Sequence, residues 1–166
     1  MFTVAILTIS DKGSRGERQD LSGPAIGEIM KNIEASVEYY EIIPDEKDLI
    51  KEKLIDYSNK VDLILTTGGT GLSPRDVTPD ATLEVIDRGI PGIAEAMRAE
   101  GLKKTKRAML SRAIAGVRGN TLIINMPGSH KAVKESLDAI TDVIPHAIEK
   151  IKGCTEDCGS EELKIL

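Results

Sequence analysis

Short apolar runs alternate with segments of helical periodicity along most of the chain, and this alternation is typical of βαβ units. Phe2–Ile9 is almost entirely apolar, which predicts a strand buried on both faces. Residues 37–43 and 61–66 predict two further strands, and residues 113–117 and 121–126 predict a pair joined by a tight turn. We therefore expect a three-layer α/β/α fold with an open, mostly parallel sheet.

Prolines and capping residues mark the helices between these strands. Pro24 predicts a helix start after a polar loop at residues 10–22, and Asp45 predicts the N-cap of the next helix. The segment 78–80 (TPD) predicts a helix that begins with a hydroxyl cap at Thr78 and runs to about Arg88. Further helices are expected at residues 91–101, after residue 129, and up to about residue 153.

Length, charge and cysteine usage limit the possible functions. The 166 residues fit one domain, expected at residues 1–153, followed by a loosely held tail at residues 154–166. The net charge of −5 argues against nucleic-acid binding but allows a small anionic ligand. Apolar runs fall short of a membrane span and no secretory signal follows Met1, so we expect a cytoplasmic protein without a membrane partner. Cys154 and Cys158 are expected to be reduced thiols, with a disulfide or adventitious metal as the alternative.

Polar loops follow four of the predicted strands. In open parallel sheets, ligands bind outside the carboxyl ends of the strands. This rule selects Ser10-Asp11, Pro44-Asp45, the glycine-rich turn at residues 66–71 and the loop Pro127-Gly128-Ser129. We expect all four loops to lie at one edge of the sheet.

The glycine-rich turn TTGGTG is the strongest candidate for a binding element. Gly68, Gly69 and Gly71 permit positive φ and a close approach of ligand to backbone, so that their N–H groups can hold a phosphate. Thr67 and Thr70 add hydroxyl donors. The turn lacks the Lys-Ser or Lys-Thr ending of a Walker loop and the third glycine of a dinucleotide fingerprint. The alternative is a tight strand exit with no ligand.

Asp76 is the candidate metal ligand beside that turn. A carboxylate near a phosphate is unfavourable unless a cation joins them, and Mg²⁺ bound by one or two carboxylates plus phosphate oxygens meets that need. Arg75 is expected either to contact the phosphates or to neutralise Asp76. The alternative for Asp76 is a second cap for the helix at Thr78.

The remaining strand-end residues have both a structural and a functional interpretation. Asp45 is either a helix cap or a second metal ligand. Asp11 is likewise either a helix cap or, with Ser10, a contact to the phosphate or ring of a ligand. Ser129 is expected to cap a helix whose first N–H groups point to where an anion would bind.

Four segments in fixed order resemble the molybdopterin adenylyltransferase family of the MogA/MoaB type, which is also found as the gephyrin G domain. They are TTGGTGLSPRDVTPDAT, PGIAEAMR, AMLSRAIAGVRG and TLIINMPGS, and the similarity extends from Val4 to Gly153. The resemblance implies an enzyme that uses ATP and Mg²⁺ to transfer AMP to the phosphate of molybdopterin, releasing pyrophosphate. It also implies a homotrimer and a downstream molybdate-inserting enzyme as a partner.

The family's two functional aspartates map onto Asp45 and Asp76 of this sequence. Arg75 or Arg112 is expected to offset the charge that develops during transfer. This chain has Ser129-His130 where the family often has Asn-Pro, a change expected to affect pterin or adenine contacts. The expected substrate-binding residues are Ser10, Asp11, Thr67, Gly68, Gly69, Thr70, Gly71, Arg75, Thr78, Ser111, Arg112, Pro127, Gly128 and Ser129.

Two other functions remain open at this stage. One is a catalytically silent module that binds or assembles molybdopterin, and the other is an unrelated nucleotide-binding regulator of the same architecture. Asp45 together with Asp76 favours the enzyme, and so does Asp80.

Overall fold

A computed structural model describes residues 1–153 of the chain, and its core is a six-stranded sheet. The strands are β1 (Phe2–Ile9), β2 (Ala35–Ile43), β3 (Leu63–Thr67), β4 (Arg88–Gly89), β5 (Ala115–Arg118) and β6 (Thr121–Met126), in the order β2-β1-β3-β6-β5-β4. β2, β1, β3 and β6 are mutually parallel, whereas β5 runs antiparallel to both β6 and β4. The predicted open, mostly parallel α/β sheet is confirmed.

Helices cover both faces of this sheet. They are α1 (Asp11–Ser14), α2 (Ser22–Lys31), α3 (Lys47–Ser58), α4 (Thr78–Leu83), α5 (Pro91–Leu102), α6 (His130–Asp138) and α7 (Ile144–Ile151), with 3₁₀ turns at Lys106–Leu110 and Thr141–Val143. None of the helices within residues 1–153 is both long and apolar enough to cross a membrane.

The continuous apolar run of β1 is explained by two separate cores. Val4 and Ile6 pack into a cluster with α2, α5, α6 and α7, while Ala5 and Leu7 pack into a second cluster with α3 and α4. Successive side chains of a strand point to opposite faces, so a strand covered on both sides has no polar positions. This burial holds the carboxyl ends of β1, β3 and β6 side by side.

Two predicted helix boundaries are wrong. The helix that begins at Thr78 ends at Leu83, because the backbone that follows pairs with β5 instead: Asp87 N–H donates to Val117 O, and Ile90 N–H donates to Ala115 O. Helix α2 begins at Ser22, two residues before Pro24. The loop predicted at residues 10–22 also contains the single turn α1.

Two predicted caps are also wrong. Helix α3 begins after Glu46, and Asp45 does not cap it, because the Asp45 carboxylate accepts a hydrogen bond from Asp11 N–H instead. Thr78 is the first residue inside α4 rather than its cap, and Val77 precedes it. The predicted cap at Ser129 is confirmed, since its hydroxyl accepts from Ala132 N–H. The cysteines at 154 and 158 lie outside the described residues.

Candidate functional site

The glycine-rich turn leaves β3 in a conformation that only glycine tolerates. Gly68 has φ +101° and Gly69 has φ +64°. A Cβ on Gly68 would lie 2.2 Å from the carbonyl oxygen of Ile9, and one on Gly128 would lie 3.3 Å from Gly68 Cα. The turn is therefore packed between the end of β1 and the loop after β6, as the four-loop prediction requires.

Backbone N–H groups are the donors that this turn leaves available. Gly68 N–H donates to Met126 O, but within the described part of the chain nothing accepts from the N–H groups of Gly69, Thr70 and Gly71. Successive unpaired N–H groups in such a turn form an anion-binding concavity.

The threonine hydroxyls of the turn serve the fold instead. Thr67 Oγ1 donates to Pro127 O at 2.7 Å, and Thr66 Oγ1 accepts from Asn125 Nδ2 at 3.1 Å. Asn125, which is fully buried, also donates to Thr82 Oγ1, so one amide links β3, β6 and α4. The side chains beneath the turn thus fix its position and leave its backbone exposed to the cleft.

Asp11 and Asp45 are locked together across the ends of β1 and β2. Asp11 N–H donates to Asp45 Oδ2 at 2.9 Å, and Asp45 N–H donates to Asp11 Oδ1 at 3.0 Å. The two carboxylates differ in their further partners. Arg75 donates to both oxygens of Asp11 and holds the pKa of that carboxyl below its usual value. No cation within residues 1–153 forms such a pair with Asp45.

The negative charge of Asp45 is consequently unfavourable in the free protein. Burial raises its pKa, and although the hydrogen bond from Asp11 N–H opposes this, the charges of Asp11 and Asp76 raise the pKa further. Beside it lies Thr78 Oγ1, which is buried and has no hydrogen-bond partner among the described residues. A Cβ on Gly69 would meet both Thr78 Oγ1, at 2.3 Å, and Asp45 Oδ1, at 3.1 Å. These oxygens therefore border one small space at the turn.

Asp76 approaches the turn from the other side. Its Oδ2 accepts from Ser73 N–H at 2.9 Å, and a Cβ on Gly71 would lie 2.9 Å from the same oxygen. Asp76 does not cap α4, because its carboxylate closes the preceding turn.

The two arginines expected to offset phosphate charge are engaged elsewhere. Arg75 pairs with Asp11 and Glu46 and does not neutralise Asp76. Arg112 pairs with Asp80 and also donates to the carbonyl oxygens of Gly71 and Asp76. Arg112 therefore ties the glycine-rich turn to α4 in the free protein.

A cleft of about 510 Å³ brings the main candidates together at the carboxyl edge of the sheet. Of the predicted substrate and metal residues, it is lined by Ser10, Asp45, Thr67, Gly68, Gly69, Asp76, Gly128 and Ser129. Asp11 and Thr78 do not line the cleft but bond to residues that do, Asp45 and Gly69. Arg75 pairs with Asp11, and Ser10 uses its hydroxyl to cap α1.

A second recess of about 310 Å³ adjoins the cleft through Ser129. Its walls include Thr70, Gly71, Ser111 and Pro127 from the predicted set, together with apolar side chains such as Met97 and Leu110. Most of the predicted residues thus divide between two neighbouring cavities, whereas Asp11, Arg75, Thr78 and Arg112 line neither.

Sequence reasoning missed several residues of the cleft, among them Arg18, Gln19, Asp20 and Ser22. The Asp20 carboxylate accepts from Thr8 Oγ1, Tyr40 Oη and two N–H groups of α2. Ser22 Oγ donates to Gly128 O, which ties α2 to the loop after β6. The signal available in the sequence was the pattern Asp20-x-Ser22 before Pro24, a helix-capping arrangement.

Fold and cleft together define an α/β domain that can receive an anionic ligand beside two carboxylates, at the carboxyl edge of a parallel sheet. A family described as "Probable molybdopterin binding domain" matches residues 5–146. The chain belongs to this family, and the resemblance carried by its motifs is confirmed.

Three relatives illustrate the similarity. Molybdopterin adenylyltransferase of Helicobacter pylori (strain ATCC 700392 / 26695) is 43% identical over 154 residues, covering 90% of this chain and 88% of that protein. The protein of the same name from Escherichia coli (strain K12) is 40% identical over 153 residues, covering 87% of this chain and 78% of that protein. The crystal structure of the molybdopterin biosynthesis enzyme MoaB from Thermus thermophilus is 54% identical, with a TM-score of 0.87, and covers 92% of this chain and 98% of that one.

Proposed function

We propose that this chain is a molybdopterin adenylyltransferase that transfers AMP from ATP to the phosphate of molybdopterin in molybdenum cofactor biosynthesis. The observation that carries the proposal is that Asp45 and Asp76 line one cleft with a glycine turn. Within residues 1–153, the N–H groups of Gly69, Thr70 and Gly71 in that turn have no acceptor. The names of the relatives, which share 40–43% of their residues with this chain, support the same reaction.

The two cavities suit the two chemical parts of such substrates. The main cleft, with its backbone donors and carboxylates, is the place for the phosphates that react. The recess next to it has apolar walls and the hydroxyls of Ser111 and Ser129, which suit a flat heterocyclic ring with a polar edge. We assign Thr70, Gly71 and Pro127 to the boundary between them.

The oxygens at the turn fit Mg²⁺. Residues 1–153 contain no cluster of three or more His, Cys, Asp or Glu side chains that would form a complete cage. Mg²⁺ does not need one, because it is commonly held by one or two carboxylates plus water and substrate phosphate. Asp45 and Asp76 would supply the carboxylates, and the unpartnered hydroxyl of Thr78 is a further hard donor next to Asp45. Bound there, Mg²⁺ would neutralise phosphate charge.

The protein's contribution to the transfer is alignment and charge compensation. An oxygen of the molybdopterin phosphate attacks the α-phosphorus of ATP. The bond between that phosphorus and the oxygen that bridges it to the β-phosphorus breaks, and pyrophosphate leaves with the bonding electrons. No covalent intermediate with the protein is needed, so positioning of the two phosphates is the main source of rate. The rigid turn, fixed by Thr67, Asn125 and Arg112, provides that positioning.

We propose the remaining biological setting from the resemblance. Residues 1–153 act as one domain, the protein works in the cytoplasm as a homotrimer, and its product passes to a molybdate-inserting enzyme. Leu72, Leu83, Met109 and Leu110 are large apolar side chains with at least half of their surface exposed, which a subunit interface would cover. Light scattering on the purified protein tests the trimer, since a monomeric mass would contradict it.

The assay mixes purified protein with molybdopterin, ATP and Mg²⁺ and measures adenylylated molybdopterin and pyrophosphate. We expect Asp76→Asn to lower the rate about 100-fold, because it removes a carboxylate that would hold Mg²⁺ at the reacting phosphates. Asn can still accept the hydrogen bond from Ser73 N–H, so the melting temperature should hardly change.

Asp138→Asn is the matched control, because Asp138 is exposed at the end of α6 and does not line the cleft. It should match the wild type. Absence of product from the wild type would instead favour a silent molybdopterin-binding module, and full activity of Asp76→Asn would contradict the role given to Asp76.

A further inference from the structure

The proposed reaction leaves one charge requirement unmet. Asp45 and Asp76 add negative charge to a cleft that must admit polyphosphate, and Arg75 and Arg112 are committed to Asp11, Glu46 and Asp80. Backbone N–H groups carry only partial charge. A full positive charge at the cleft would lower the cost of bringing in the anion before Mg²⁺ and substrate neutralise each other.

Arg18 meets that requirement. It lies in the exposed segment between α1 and α2 and lines the main cleft together with Asp45 and Asp76. Among the described residues that line the cleft, it is the only lysine or arginine. Its guanidinium has no hydrogen bond or ion pair within residues 1–153.

The neighbours of Arg18 explain why it stays unpaired. Arg15 and Glu17 form a two-pronged pair with each other, with nitrogen–oxygen distances of 2.8 and 3.0 Å, so the nearest carboxylate in sequence is occupied. Asp20, two residues further on, already accepts four hydrogen bonds. Those bonds also anchor the segment at the start of α2, which holds Arg18 close to the cleft.

We propose that Arg18 is a substrate-positioning residue that binds a terminal phosphate group at the mouth of the cleft. A guanidinium presents a planar fork of N–H donors that matches two phosphate oxygens, and it is charged at every relevant pH. Two sources can supply that chemistry: the β,γ-phosphates of ATP, which leave as pyrophosphate, and the phosphate of molybdopterin. The inference rests on the proposed function only for the identity of these sources.

Direct binding of inorganic pyrophosphate, measured by calorimetry, tests the phosphate site without catalysis. We expect Arg18→Ala to weaken binding about tenfold at low ionic strength, as loss of a charge-assisted hydrogen bond does. The loss should shrink in about 1 M salt, where the screening length is ~3 Å. Arg18→Lys should recover part of the affinity, because it keeps the charge but loses the fork.

Lys12→Ala is the control variant. Lys12 is exposed on α1, carries the same charge, and does not line the cleft, so its removal should leave pyrophosphate binding unchanged. Equal weakening by Lys12→Ala and Arg18→Ala would mean that only net charge matters and would overturn the proposal. So would wild-type protein that binds no pyrophosphate, or Arg18→Ala protein that binds it normally.

Steady-state kinetics then separate the two sources. If Arg18 holds the leaving phosphates, Arg18→Ala raises the KM for ATP about tenfold and leaves the KM for molybdopterin near the wild-type value. If it holds the pterin phosphate, Arg18→Ala raises the KM for molybdopterin and leaves the KM for ATP near the wild-type value. Unchanged KM values for both substrates in an active enzyme would refute the role of Arg18 while the proposed function stood. If the wild type were inactive but still bound pyrophosphate through Arg18, the proposed function would be refuted and the phosphate site at Arg18 would stand.

Discussion

At the scale of single residues, Asp11 and Asp45 show how partners decide the role of a carboxylate. Both follow neighbouring parallel strands, and each accepts a hydrogen bond from the backbone of the other. Arg75 forms an ion pair with Asp11 but none with Asp45, on which its charge has only a minor effect. Asp45 keeps an uncompensated charge beside Asp76 and the unpartnered Thr78 hydroxyl. A partly buried carboxylate without a positive partner is costly, and a bound cation would remove that cost.

We predict that Asp45→Asn stabilises the free protein at neutral pH while it impairs transfer. The raised pKa means that ionised Asp45 costs folding free energy once the pH exceeds the ordinary aspartate value of about 3.9 and the raised folded value. Because the group is partly solvated, the gain should be at most about 1 kcal/mol. Thermal melts check this, and activity should fall about 100-fold.

Ligand addition separates this effect from an ordinary stabilising substitution. Mg²⁺ with ATP should raise the melting temperature of the wild type more than that of Asp45→Asn, since the stabilisation by a ligand grows with the logarithm of its concentration relative to Kd. A lower melting temperature of Asp45→Asn without ligand would show that its carboxylate supports the fold, as the discarded cap interpretation requires.

Sequence reasoning correctly placed Asp45, Asp76 and the glycine-rich turn together, because parallel strands bring their carboxyl ends to one edge whatever the side chains do. The roles assigned to these residues stay predictions. Sequence reasoning did not reveal the ion pairs of Arg75 and Arg112, nor that Arg18 lines the cleft. The partners of a long, flexible side chain depend on residues distant along the chain: Arg112 reaches Asp80, 32 positions away, and Arg75 reaches Asp11, 64 positions away. Local spacing carries no information about such pairs.

At the scale of elements, the turn after β3 is held by backbone contacts more than by side chains. Gly68 touches the end of β1, and its N–H donates to the end of β6. The turn therefore inherits its position from the sheet. The same scale explains the wrong boundary of α4. Its favourable start at Thr78-Pro79 is local, whereas its end is set by pairing of residues 87–90 with β5, which no local pattern reveals.

We predict that Gly68→Ala is severely destabilising, by roughly 3 kcal/mol or more, because it combines left-handed strain with a clash against the Ile9 carbonyl. Gly119→Ala is the matched control: Gly119 also has positive φ, at +55°, but nothing lies within 4 Å of its Cβ position. It should cost only about 1–2 kcal/mol. Denaturant unfolding checks both, and equal losses would mean that strain alone, rather than the close approach to β1, fixes the turn.

At the scale of the whole molecule, carboxylates are distributed in two electrostatic classes. Burial alone would raise the pKa of Asp20, but its four hydrogen bonds hold the value below normal, and Asp62 is similar with Lys152 and Thr3 as donors. Asp45 belongs to the opposite class. The first class lies where elements join: Asp20 connects β1, β2 and α2, and Asp62 connects β1 to α7.

These two classes of carboxylate predict how the melting temperature changes at acid pH. A carboxylate with a lowered folded pKa stabilises the protein above its unfolded pKa and loses that contribution as the pH falls through the folded value. The melting temperature should therefore decline below about pH 4–5. Asp20→Asn should lower the neutral melting temperature by about 3 °C, equivalent to ~1 kcal/mol in this half-exposed site, and make the acid decline shallower.

Asp45→Asn should have the opposite effect and make the fall in melting temperature at acid pH steeper. In the wild type, protonation of Asp45 between its raised folded pKa and its unfolded pKa favours the folded state, and so partly offsets the losses at Asp20 and Asp62. Without that offset the decline becomes steeper. Melting curves of the wild type and both variants from pH 7 to about pH 3 supply the measurement. Parallel curves for all three proteins would contradict the assignment of these carboxylates to opposite classes. A shallower curve for Asp20→Asn and a steeper one for Asp45→Asn would show that ionised Asp45 lowers the stability of the fold.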